Sequence, residues 1–101
     1  MAVNRKLKAK IKTIPWDSAS HLKTNDDIAD YLEAVFELGD PALVAHALGV
    51  VARAKGMARI ARSAGLGRES LYKALSSDGN PEFVTVLKVI QALGLKLTVA
   101  A

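Results

Sequence analysis

Arg68, Glu69, Ser70, Tyr72 and Lys73 crowd a short stretch bounded by Leu66 and Leu75, and together they supply donors, acceptors and an aromatic ring. At helical spacing Leu71, Ala74 and Leu75 turn inward, as do Ile60, Ala64 and Leu66 just upstream, which leaves the five polar side chains outward. A core has no use for such a set, whereas base edges and phosphates in a duplex groove do. The planar fork of Arg68 can meet N7 and O6 of guanine together. Glu69 either accepts from cytosine N4 or is a first-turn charge favoured by the helix dipole. Lys73 can reach a base or a phosphate, and Tyr72 is either a reader or half-buried packing. Arg59, Arg62 and Lys55 are candidates for sequence-independent phosphate contacts.

Positioning such a helix requires a second one crossing it closely. The stretch from Met57 provides it: Ala61 is small enough for the crossing, and Gly65 tolerates the positive φ of the bend. Residues 57–75 therefore read as a helix-turn-helix whose second helix enters the major groove. Upstream, Thr24 or Asn25 caps a helix with Asp26 and Asp27 in its first turn and Ile28, Tyr31, Leu32, Val35 and Phe36 on one face. Gly39 ends it, and Asp40-Pro41 caps and opens a second helix with Leu43, Val44, Ala47, Leu48 and Val51 inward, closing near Gly56. Asn80-Pro81 is expected to cap and open a fifth helix with Phe83, Val86, Leu87, Ile90 and Leu93 as its stripe, stopped by Gly94. The alternation in 95–99 predicts a short C-terminal strand, which needs a partner strand and so suggests a homodimer.

Composition agrees with an all-α domain. The chain has 101 residues, half of them hydrophobic but only 5% aromatic, and no cysteine. Ala, Leu and Val suit closely packed helices, and the lack of thiols fits a reducing compartment, the cytoplasm. No apolar run approaches the roughly 20 residues of a membrane span. The net charge of +4 is unevenly spread. Residues 1–12 carry Arg5, Lys6, Lys8, Lys10 and Lys12, part of an aperiodic basic arm over 1–23 that leads to Trp16. The segment 13–52 sets Lys23 alone against Asp17, Asp26, Asp27, Asp30, Glu33, Glu37 and Asp40. Arg53, Lys55, Arg59, Arg62, Arg68 and Lys73 then face only Glu69 over 53–73, so basic charge coincides with the helix-turn-helix over 57–75. Two domains result: the arm, 1–23, and a DNA-binding domain, 24–101.

Catalysis has no support in these residues. His21 and His46 lack ligands at metal-binding spacing, so no metal or cofactor is expected. Gly65-Leu-Gly-Arg-Glu-Ser70 imitates a dinucleotide loop but follows a helix where a strand is required and ends in serine. Ser70 has no local histidine base.

A longer set of residues carries a resemblance. It runs from Trp16-Asp17 through Gly39-Asp40-Pro41, Ala47-Leu48-Gly49, Arg53-Ala54-Lys55-Gly56-Met57, Arg68-Glu69-Ser70-Leu71-Tyr72-Lys73-Ala74-Leu75-Ser76, Gly79-Asn80-Pro81 and Leu87-Lys88-Val89 to Ala92-Leu93-Gly94-Leu95. In these the chain resembles the probable addiction-module antidote proteins, HigA-type antitoxins of the lambda-repressor-like helix-turn-helix group. The resemblance implies a five-helix lambda-repressor-like domain and neutralisation of a small toxin of the RelE/ParE/HigB type, usually an mRNA-cleaving ribonuclease. It further implies repression of the chain's own operon by a dimer on operator DNA. Two positions depart from the pattern: Gly67 stands where many members have a capping Ser or Thr, and Met57 where the wider group often has a phosphate-holding Gln. An RNA-cleaving toxin is basic, so Asp26, Asp27, Asp30, Glu33 and Glu37 are toxin-contact candidates, with Trp16 in the arm as another. A stand-alone, prophage-type repressor without a toxin is the alternative.

Overall fold

The computed structural model describes residues 22–76 and 79–101, and among them five helices enclose one core. Helix α1 spans Asn25–Leu38 and begins in a reciprocal cap. The Thr24 hydroxyl oxygen accepts from the Asp27 amide at 3.0 Å, and the Asp27 carboxylate accepts from the Thr24 amide at 3.1 Å. Ile28, Tyr31, Leu32 and Val35 are its buried face, and Gly39, at φ 68°, stops it.

Helix α2, Pro41–Lys55, opens as its sequence predicts, with Pro41 in the first turn. One carboxylate oxygen of Asp40 accepts from the amides of Ala42 at 3.0 Å and Leu43 at 3.3 Å. Ala45 and the whole run Ala47–Ala52 are buried, so along this stretch α2 has no solvent face. That fits its position, since α1, α3 and α5 all pack on it. A single glycine, Gly56 at φ 100°, separates it from α3, Met57–Ala64.

Helix α3 buries Met57, Ile60 and Ala61 and closes on paired bonds: the Gly65 amide donates to the Arg62 carbonyl at 3.2 Å and the Leu66 amide to the Ala61 carbonyl at 2.8 Å. Helix α4, Arg68–Ala74, follows after Gly67 and packs on α3. Helix α5, Phe83–Ala92, packs on α3 and α2, with Val86, Val89 and Ile90 inward and Leu93 buried just beyond its end.

Three expectations need correction. Leu95–Val99 do not form a strand, and no strand occurs among the described residues. The Leu95 amide still belongs to the α5 cap, donating to Ile90 at 3.1 Å, and beyond it the chain is exposed, Val99 at 99%. Alternation supplies side chains for two faces, but a strand also needs a neighbour for its backbone groups, and none is in place. Helix α5 starts at Phe83 behind Glu82, which makes no side-chain cap bond, instead of at Asn80-Pro81. Phe83 is 68% exposed and lies off the end of the packed layer, whereas Val89, not foreseen in the stripe, is fully buried.

Two glycines set how α4 is seated. A Cβ on Gly49, in the buried part of α2, would stand 2.8 Å from the Leu75 carbonyl oxygen, so the end of α4 abuts bare backbone there. A Cβ on Gly79 would overlap the Lys73 and Ala74 carbonyl oxygens. Gly79 is held in that place by its amide, which donates to the Ser76 carbonyl at 2.9 Å, while the Ser76 hydroxyl donates to Lys73 at 2.8 Å.

Gly→Ala inside a helix ordinarily gains about 0.5–1 kcal/mol. At Gly49 the sign is expected to reverse, because the new methyl meets backbone that cannot rotate away, and overpacking of this kind costs about 1–3 kcal/mol. Thermal unfolding of Gly49→Ala should show a drop of about 4–8 °C per kcal/mol; an unchanged or higher midpoint would mean that the contact yields freely. Thr24→Ala and Asp40→Ala should each lose about 0.5–2 kcal/mol in urea unfolding, through the lost caps alone.

Candidate nucleic-acid interface

Two apolar residues fix the orientation of α4. Leu71 is 0% and Leu75 2% exposed, and Ala74 between them is partly buried. At 100° per residue this inward side leaves Glu69 and Lys73 pointing most directly away from the core, with Ser70 on one flank and Arg68 and Tyr72 on the other. All five are exposed, Tyr72 at 41%. The five candidate readers are thus all open to solvent, with Arg68 at the start of the helix, near the side of Leu75.

Arg68 and Tyr72 also touch each other. The Arg68 guanidinium carbon lies over the Tyr72 ring, 5.7 Å from its centre, within the range of a cation–π contact. Tyr72 is therefore a partly exposed ring, at 41%, with a charged neighbour over its face. The spacing of four positions was the available signal for this pair.

Arg59 and Arg62 are exposed on α3, three positions apart and therefore on one side, opposite Met57, Ile60 and Ala61. Lys55, in the last turn of α2 beside exposed Arg53, is only partly exposed. Met57 is 5% exposed and fills the core, so its side chain is not available to a phosphate. Gly67 makes no side-chain cap bond, and its carbonyl accepts from the Leu71 amide at 2.9 Å.

The acidic candidates occupy a separate element. Asp26, Asp30, Glu33 and Glu37 are exposed and recur at +4, +7 and +11 on α1, so they line one side of it, with exposed Asp27 beside them. Helix α1 packs on α2, whereas α4 packs on α3, so the two sets of charges do not merge. Trp16, His21 and the arm 1–23, except for Leu22 and Lys23, lie outside the described residues. Leu22 is buried against the core. No group of three or more His, Cys, Asp or Glu that could hold a metal, and no helix long and apolar enough to cross a membrane, is found among the described residues.

The positioning glycines were not foreseen. An isolated glycine inside a helical pattern, as at Gly49, is the local signal that something approaches closely. What approaches it, the Leu75 carbonyl, becomes visible only in the fold.

Comparison with known proteins bears on the acidic and basic faces together. A protein of Haemophilus influenzae (strain ATCC 51907 / DSM 11121 / KW20 / Rd), itself uncharacterised, is 48% identical over 84 residues, covering 83% of this chain and 87% of its own length. No solved structure matches the chain. The profile of one family, described as probable addiction module antidote protein, matches residues 12–101. That match spans most of the chain, α1 to α5 included, and the chain belongs to the probable addiction module antidote protein family.

Proposed function

We propose that this antidote neutralises a small toxin of the RelE/ParE/HigB type by direct binding, and that it represses its own operon through sequence-specific contacts made by α3 and α4 as a helix-turn-helix of the HigA type. The observation that supports the DNA reading best is the exposure of Arg68, Glu69, Ser70, Tyr72 and Lys73 on a helix anchored by Leu71 and Leu75. Such a helix can lie in a major groove, its side chains on base edges, while Arg59 and Arg62 neutralise phosphates from α3. Arg68 is assigned to guanine, and Lys73 to a neighbouring base or phosphate. One module of this size makes few contacts, so the operator complex is a dimer whose two α4 helices reach half-sites about one DNA turn apart. Operator binding places the work in the cytoplasm.

The toxin reading rests on the family and on the acidic side of α1. A toxin that cleaves RNA carries cationic groups for the phosphates, and Asp26, Asp30, Glu33 and Glu37 offer those groups a competing row of carboxylates. Such a contact leaves α4 free for DNA.

Arg68→Ala should weaken operator binding by on the order of 1–3 kcal/mol and relax preference at a single base pair. Arg59→Gln or Arg62→Gln should weaken binding to every sequence and reduce the salt slope by about one unit each. Fluorescence anisotropy on operator duplexes at several salt concentrations separates the two patterns, and identical behaviour of all three variants would reject the docking orientation. For the toxin, the protein encoded next to this gene should co-purify with the chain. Charge reversal at Asp30→Lys with Glu33→Lys should reduce that complex by about tenfold or more while operator affinity does not fall. Full retention of the complex would move the toxin contact off α1.

A further inference from the structure

The charged readers on α4 differ in one respect that bears on specificity. Lys73 and Glu69 project from the helix on flexible stems, but the guanidinium of Arg68 lies over the ring of Tyr72, 5.7 Å from its centre. We propose that Tyr72 is the positioning residue for Arg68, holding its guanidinium in the orientation that reads a single guanine; this rests on the DNA reading above.

The geometry of the two groups makes this possible. A cation–π contact is made with the ring's π face and is not a hydrogen bond to a ring acceptor, so the five N–H donors of the guanidinium remain available for a base. A free arginine side chain must surrender rotamer freedom when it forms two parallel bonds to N7 and O6, and a guanidinium already parked on a ring surrenders less. Tyr72 suits the task because it is four positions from Arg68 on the same flank of α4, and because Leu71 and Leu75, its neighbours in the helix, are fully engaged in the core. The base of the ring is thereby fixed to the most buried part of α4, while 41% of the residue stays exposed for contact with a ligand.

Phosphate contact by Tyr72 would give a different signature. A hydroxyl on a phosphate acts on all sequences alike and vanishes in Tyr72→Phe, whereas a ring that orients Arg68 acts at one base pair and survives Tyr72→Phe.

The test starts with the full chain and a pool of randomised duplexes, from which the preferred site is selected. Affinity is then measured on that site and on its single-base variants for wild type, Tyr72→Phe, Tyr72→Leu, Arg68→Ala and the double variant Arg68→Ala/Tyr72→Leu. Tyr72→Phe should behave as wild type. Tyr72→Leu should lose about two- to fivefold on the preferred site, all of it at the base pair that Arg68→Ala also relaxes. In the Arg68→Ala background, Tyr72→Leu should have no further effect at that base pair. In the free protein, the Arg68 side-chain protons should resonate upfield through the ring current and return to ordinary positions in Tyr72→Leu, whose unfolding midpoint serves as the folding control. Losses that are equal on all duplexes, or that add fully to those of Arg68→Ala, would overturn the positioning role while leaving the DNA reading intact. A wild-type chain that selects no sequence from the pool would overturn both.

Discussion

The constraint on which the interface depends is the close approach of backbone to backbone at the end of α4. A helix of 7 residues is far too short to hold itself together in water, where isolated helices need roughly 12–15 residues to be even marginal. Helix α4 therefore takes both its existence and its tilt from what it is pressed against. Leu71 and Leu75 supply the burial, Gly49 gives the Leu75 carbonyl a place to sit, and Gly79 closes over the Lys73 and Ala74 carbonyls from the other side. A methyl group at either glycine would press against a backbone carbonyl oxygen. The direction of every side chain on the outer surface of α4 is set by this seat.

The seat in turn depends on α2. Its run of buried alanines, valines, Leu48 and Gly49 lets α1, α3 and α5 pack on the same rod. Small residues keep these helices close, and the single-residue joint at Gly56 delivers α3 directly onto the rod that precedes it. Aromatic residues contribute little to this interior, in which Tyr31 is buried and Phe83 stays outside. Packing of this kind leaves little room for compensation, because short side chains have few rotamers with which to absorb a displaced backbone.

Features written in neighbouring residues were legible in the sequence, and features that depend on distant ones were not. The helix start at Thr24 or Asn25, which the structure resolves to a Thr24 cap, the Asp40-Pro41 start and the glycine stops at Gly39, Gly65 and Gly94 each involve groups within a few positions, and each is present. Glu69, Ser70, Tyr72 and Lys73 were equally legible, since helical period separates them from Leu71 and Leu75, whereas Arg68, three and seven positions before those leucines, is exposed as the first residue of the helix. The start of α5 was not legible: Asn80-Pro81 is a good local signal, yet the helix begins at Phe83 behind Glu82. The tail 95–99 failed for a related reason: its alternation is local, but a strand is a property of two segments. Between these lies the pair Arg68 and Tyr72, whose spacing permits a contact and whose rotamers, which the sequence does not specify, decide it.

Magnitudes show why the outer surface of α4 can be read as a ligand surface. Burying Leu71 and Leu75 is worth about 1.5–3 kcal/mol each, the terms on which the helix survives. A cation–π contact at an exposed site adds about 0.5–1 kcal/mol. Oppositely charged side chains at the spacing of Glu69 and Lys73, four positions apart, add at most about 0.2–0.5 kcal/mol where they pair. Stability alone would thus be served nearly as well by almost any polar residues at these positions, and better by a side-chain cap in place of Gly67. An arginine laid on a tyrosine, flanked by a carboxylate, a hydroxyl and an amine within one and a half turns, is a costly arrangement in side-chain entropy that returns little to the fold. Such a composition is accounted for when the groups are spent on a partner, and their donors and acceptors match what the edges and phosphates of a duplex present.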